Sequence, residues 1–216
     1  MEKKKDTMIK DAIILCLITL VLGAVLAGVY AITKEPIEKA QAKTNNEACA
    51  KVVASGDSVL DNDEAMVTAA SDYLKTHDLS NADVSEETAS LITWVTVEEV
   101  HPTSNGGKVY LVTAKKGYGG DVSFALGVDG EKKITGIAIT AQSETAGLGA
   151  NCENEDWQKS FAGKVAPSDP SQVMYNKLES NDSQVQALSG ATVTSRAITN
   201  AVKGVLFADA AGKEAS

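Results

Sequence analysis

Two short segments carry residue types and spacings suited to binding chemistry. Leu188-Ser189-Gly190-Ala191-Thr192-Val193-Thr194-Ser195 runs from a tight turn into a helix start, setting several hydroxyls beside backbone N–H groups near Gly190. First-turn amides of a helix, together with its dipole, form an anion site matched to a phosphate. The same residues also suit a plainer role, in which Ser189 or Thr192 simply caps the helix. The second segment is Gln142-Ser143-Glu144-Thr145-Ala146-Gly147-Leu148-Gly149. Glycines on either side of Leu148 let the backbone approach a flat ligand, and loops at sheet edges are where binding residues gather. The plainer reading is a Gly-rich turn with an exposed glutamate. The segment is neither G-x-G-x-x-G nor a Walker loop, so a dinucleotide or triphosphate site is not supported.

Other chemistries lack their residues. His77 and His101 are the only two histidines. Neither is paired with a nucleophile, and two isolated histidines build no metal site. His101, beside Pro102, is placed in a turn. Asp61-Asn62-Asp63-Glu64 lacks the glycine and spacing of a calcium loop and reads as solvated surface. Cys16, Cys49 and Cys152 form no C-x-x-C, haem or iron–sulfur pattern, so redox chemistry here would need an organic cofactor. Cys49 and Cys152 are read as free buried thiols.

The elements that must position the two segments follow from periodicity. Ile92 to Val97, Lys108 to Lys115, Val122 to Val128 and Lys133 to Thr140 read as four strands. Gly-containing turns join them into an antiparallel meander of the kind that buries one face. The Gln142–Gly149 loop follows the fourth strand directly. Glu155 to Phe161 reads as a short helix with Trp157 and Phe161 on one face. A helix opens at Thr192, and the residues after Phe207 are expected to fray. Upstream, Glu35 to Ala54 reads as a helix and Asp57 to Asn81 as acidic and helical or irregular, with Tyr73 and Leu74 as apolar contacts. The expected fold class is α+β, divided into a tail (1–11), a membrane span (12–33), a helical stalk (34–90), the binding domain (91–207) and a flexible tail (208–216).

The span is the twenty-two residues Ala12 to Thr33, free of charged side chains between Asp11 and Lys34. As a helix it reaches roughly 33 Å, enough for a hydrocarbon core of about 30 Å. A cleaved signal peptide is the rival reading, but its apolar run is shorter and ends at a small-x-small site, which Thr33-Lys34-Glu35-Pro36 does not offer. Lys3, Lys4, Lys5 and Lys10 place the N-terminus in the cytoplasm and the C-terminal domain outside it. Setting aside those lysines with Glu2, Asp6 and Asp11 leaves 16 of 20 basic and 26 of 29 acidic residues, a net charge of about −10. Nucleic acid needs a basic footprint, and anionic lipid would repel this domain.

With these segments in order, the sequence resembles the FMN-binding domain family, and within it the G subunit of the Rnf-type electron transport complex. The resemblance covers the anchor and about Trp94 to Val205, including Gly117-Tyr118-Gly119-Gly120 and Ile134-Thr135-Gly136-Ile137. The family's Ser/Thr-Gly-Ala-Thr attachment run is matched by Ser189-Gly190-Ala191-Thr192. Its Glu-Thr-Pro-Gly-Leu-Gly run is matched by Glu144-Thr145-Ala146-Gly147-Leu148-Gly149. The resemblance implies FMN bound covalently as a phosphoester on Thr192, installed by a separate flavin transferase, with Thr194 as a secondary acceptor and Ser195 beside it. Ser189, Gly190 and Ala191 would shape the phosphate turn. Glu144, Thr145, Gly147, Leu148 and Gly149 would pack against the ring and tune it. The chain would be a redox subunit without a catalytic site or metal of its own, in an inner-membrane complex that couples ferredoxin and NAD to Na⁺ or H⁺ movement.

Two positions depart from the pattern. Ala146 stands where the family has proline, and Gln186 where an aspartate often precedes the attachment run by three residues. Two other functions fit the same plan: the C subunit of a sodium-pumping NADH–quinone reductase, and a membrane-anchored adaptor that binds no flavin. Gly23 and Gly28 in the span are read as small packing residues against other membrane subunits.

Overall fold

Strands β1 (Val95–Pro102), β2 (Lys108–Ala114), β3 (Val122–Val128) and β4 (Ile134–Ala141) pair antiparallel in the order β1-β2-β3-β4. The computed structural model describes residues 2–76, 95–168, 172–176, 181 and 183–212, with side chains from Lys10 onward. Ile92, Thr93, Trp94 and His77, which figure in the expectations above, lie outside the described residues. The remaining elements are α1 (Glu2–Val52), α2 (Glu64–Thr76), a 3₁₀ turn (Gly149–Glu153), α3 (Glu155–Lys159), the two-residue strands β5 (Tyr175–Asn176) and β6 (Val185–Gln186), and α4 (Thr192–Ala211).

The chain divides into two compact units, Met1–Thr44 and Asn45–Ser216. In the first, α1 is long and apolar enough to cross a membrane. Its polar groups suit lipid: Thr19 Oγ1 donates to the Leu15 carbonyl at 3.1 Å and Thr33 Oγ1 to that of Val29 at 2.8 Å, so neither hydroxyl is left without a partner.

The second unit begins well before Leu91, where the binding domain was expected to start. Ala48, Cys49 and Val52 at the end of α1 are buried against Val109, Leu111, Ala125 and Ala138. The sheet is therefore covered on both faces, which corrects the one-face expectation. The strands show why: β2 and β3 are apolar at nearly every position rather than alternately. Gly127, paired with Gly136 across β3 and β4, makes the approach possible. A Cβ on Gly127 would lie 2.1 Å from the Val52 carbonyl oxygen. Thr135 Oγ1 donates to that same oxygen.

On the other face lies the larger core, built by Val97, Val100, Tyr110, Phe124 and Leu126 with Ile198, Ala201, Val202 and Val205 of α4. The α4 residues recur with helical period and form its core-facing stripe. β1 runs on to Pro102, so His101 belongs to a strand end and not to a turn. A bulge between Val97 and Glu99 resets the alternation, letting both Val97 and Val100 face inward. His101 is held there, its Nδ1 2.9 Å from the Leu60 carbonyl and its Nε2 2.8 Å from Glu99. Residues before α2 line this edge strand: Asn62 Oδ1 accepts from the Val100 N–H, and Asp63 then caps α2 through the amides of Ala65 and Met66.

The expected frayed tail is also corrected. Helix α4 continues to Ala211 with Ala208 and Asp209 buried; residues 213–216 lie outside the described residues. Asp209 Oδ1 accepts from Lys108 Nζ and Tyr110 Oη, each at 2.7 Å, and its other oxygen pairs with Lys132. Burial alone would raise the Asp209 pKa, but the bonds from Lys108, Lys132 and Tyr110 outweigh it and hold the carboxyl below its ordinary value. That contribution to stability is complete above the ordinary carboxylate pKa of about 3.9 and is lost as pH falls below it. Asp209→Asn should cost about 1.5–3 kcal/mol at neutral pH. It should also flatten the acid limb of the stability profile, read by denaturant unfolding between pH 3 and 7.

Candidate functional site

The two chemistry-bearing segments meet at the N-terminus of α4. The turn before the helix closes through the Ala191 N–H to the Leu188 carbonyl at 3.0 Å, with Gly190 at φ +72°. Only glycine takes that conformation without strain. Ser195 fastens the turn from within: its Oγ accepts from the Leu188 N–H at 2.9 Å and donates to the Ala191 carbonyl at 3.0 Å. The residue at the cap position is Ala191, and no side chain caps the helix. Neither Ser189 nor Thr192 plays the N-cap role that the plainer reading gave them. The positive end of α4 is thus open to an anion.

The second segment leaves β4 and folds back over this helix start. Glu144 is buried, unlike the exposed glutamate of the plainer reading. Its Oε2 accepts from Thr194 Oγ1 at 2.6 Å and its Oε1 from the Gly119 N–H at 3.0 Å. One side chain therefore ties the β4 loop, the β2–β3 turn and the first turn of α4 together. Glycines make space for it. A Cβ on Gly149 would sit 2.4 Å from Glu144 Oε2 and 2.6 Å from Thr194 Oγ1, and one on Gly117 would sit 2.4 Å from Glu144 Oε1. Gly147, at φ +76°, turns the loop, and the amides of Leu148 and Ala150 both return to the Thr145 carbonyl.

Between the segments opens a cleft of about 390 Å³, within the range of small-molecule sites. Of the residues expected to bind a cofactor, Glu144, Thr145, Leu148, Gly149, Gly190, Ala191, Thr192 and Thr194 line it. Ser189, Gly147 and Ser195 do not: Ser189 and Gly147 are exposed beside it, and Ser195 is buried beneath the turn. Thr194 is fully buried, so its hydroxyl cannot serve as the secondary acceptor; Thr192 is half-buried at the cleft. Tyr118 and Val193 also line the cleft and were not singled out as site residues. Tyr118 is 73% exposed, an aromatic ring in a glycine turn, and that pairing was the available signal.

Chemically the cleft offers an open helix N-terminus, a half-buried hydroxyl and exposed apolar groups on Tyr118 and Leu148. These features fit a flavin phosphate and ring. Among the described residues lining it there is no lysine or arginine, and Glu144 is the one charged group. Thiol chemistry is not poised nearby, because burial, with Glu153 and Glu144 adding to it, pushes Cys152 up to about 12.

Residues 117–206, which hold the cleft and both segments that line it, match the FMN-binding domain. Residues 1–52 match the RnfG N-terminal region, so the two matches together make the chain similar to RnfG-type FMN-binding proteins, in keeping with the apolar helix α1. It is 37% identical over 95 residues to the G subunit of the proton-translocating ferredoxin:NAD(+) oxidoreductase complex of Clostridium ljungdahlii, covering 44% of this chain and 49% of that one. It is 34% identical over 108 residues to the Na(+)-translocating counterpart of Acetobacterium woodii, covering 48% and 51%. The chain thus spans about half the length of these two relatives. With the G subunit of the ion-translocating oxidoreductase complex of Pseudoalteromonas atlantica it shares 25% identity over 98% of this chain and 92% of that one. Among solved structures, Shewanella oneidensis NqrC aligns at a TM-score of 0.45 with 20% identity, covering 56% of this chain and 64% of that one.

Gly149→Ala tests the cradle around Glu144. The added methyl should disrupt the Glu144–Thr194 bond and destabilise the domain by about 1–3 kcal/mol, measured by urea unfolding.

Proposed function

We propose that this chain carries FMN esterified to Thr192 and relays electrons in a membrane-bound Rnf-type complex between ferredoxin and NAD, coupled to Na⁺ or H⁺ translocation. The observation that carries the reading is the placement of Thr192: half-buried at an uncapped helix N-terminus, in a cleft lined by both family motifs. Bound FMN would supply one- or two-electron transfer. The chain's residues would do the rest. The amides of Thr192, Val193 and Thr194 would hold the anion, the dipole of α4 would favour its charge, and Tyr118 and Leu148 would give the ring apolar surface.

The cleft's charge gives a reason for a covalent tether. Phosphate sites held without covalent attachment commonly use arginine or lysine, and the described lining has neither. A loosely held flavin would be lost from a domain outside the cytoplasm, the side to which the positive-inside rule would assign it. A separate flavin transferase would install the ester. Partner subunits of the complex would receive α1 in the membrane, with Gly23 and Gly28 allowing close helix approach. The match of residues 1–52 to the RnfG N-terminal region favours this reading over the C subunit of a sodium-pumping NADH–quinone reductase.

Co-expression with a flavin transferase, followed by denaturation, tests the attachment. The chain should gain the mass of one FMN less water and retain flavin fluorescence, and Thr192→Ala should lose both. An unmodified wild-type chain would instead support the flavin-free adaptor.

A further inference from the structure

We infer that Thr194 and Glu144 are positioning residues for modification of Thr192, which rests on the reading of Thr192 as the acceptor. Thr194 is fully buried and Glu144 nearly so, and the two side chains meet in a 2.6 Å hydrogen bond. On a helix of 3.6 residues per turn, positions two apart point about 200° from each other. Fastening Thr194 inward therefore turns Thr192 outward to the cleft. The constraint matters because Ala191 supplies no side-chain cap, so this bond and the Ser195 contacts add side-chain anchors to the backbone bonds of the first turn of α4.

The step being positioned is a phosphoryl transfer. The Thr192 Oγ1 atom forms a bond to the flavin-side phosphorus of a flavin dinucleotide, a phosphoanhydride. The bond from that phosphorus to the bridging oxygen breaks, the nucleotide monophosphate leaves, and the hydroxyl proton passes to a base of the transferase. Glu144 is not that base. Its two oxygens are engaged by Thr194 and Gly119 behind the turn. Its contribution is orientation, and misplacing a reacting atom by about 1 Å can cost on the order of a hundredfold in rate.

The test uses the full-length, unmodified chain in detergent, with a flavin transferase and flavin dinucleotide, following initial FMN incorporation by intact mass. Thr194→Val keeps the shape and loses the hydroxyl; it should slow incorporation roughly 10- to 100-fold. Thr194→Ser restores the hydroxyl and should return the rate to within about threefold of wild type. Glu144→Gln combined with Thr194→Val should be no slower than the worse single variant, because the two act through one contact. Asp209→Asn, which loosens the far end of α4, serves as the stability control and should keep the wild-type rate while folded. Incorporation into Thr194→Val at the wild-type rate would overturn the proposal. So would equal slowing in Thr194→Val and Asp209→Asn at matched unfolding midpoints. A wild-type chain that takes up no FMN overturns the attachment reading itself, and this inference with it.

Discussion

A buried carboxylate must find partners, and at this site that requirement organises everything around it. Glu144 would be costly where it lies without the Thr194 hydroxyl and the Gly119 amide. Meeting both draws three chain segments, distant in sequence, to one point. The same requirement explains the glycines at 117 and 149, whose missing side chains leave the volume that the carboxylate occupies. The cleft is a consequence of that packing. With the loop folded inward over Glu144, Leu148 and Tyr118 are left on the outside and the open end of α4 forms the floor.

Helix α4 is fixed at both ends by acidic residues with different tasks. At its start, Glu144 and Ser195 define how the first turn sits. Near its end, Asp209 gathers Lys108, Lys132 and Tyr110, bringing positive charge to a helix C-terminus where the dipole favours it. Between them, the apolar stripe of α4 seals one face of the sheet while the end of α1 seals the other. A rigid helix with a fixed N-terminus suits the covalent attachment proposed for Thr192, since an acceptor side chain must present the same oxygen each time.

Much of this was legible from residue order. Three of the four strands lie within a residue of where alternation placed them, and both motif segments line the cleft. What escaped was long-range. The bulge in β1 hid the strand's extension through His101, because it shifts the inward phase by one residue. Asp209 reads as a polar tail residue until the sheet brings to it Lys108 and Lys132, which lie 101 and 77 positions earlier in the chain. Glu144 was identified by its motif, yet its direction, toward Thr194 and Gly119, depends on tertiary contacts that local pattern does not encode. Thr194 shows the same limit: it shares hydroxyl chemistry with Thr192, and only helix phase and burial separate them.

The central claim is that this fold presents the oxygen of Thr192, and of no neighbouring hydroxyl, to an incoming flavin phosphate. Peptide mapping tests it most directly. Digestion after Lys177 and Arg196 isolates one peptide holding Ser189, Thr192, Thr194 and Ser195. Fragmentation of that peptide from flavin-transferase-treated protein should localise FMN to Thr192 alone. Flavin on Ser189, which is exposed beside the cleft, or on Thr194 or Ser195, both buried, would contradict the account.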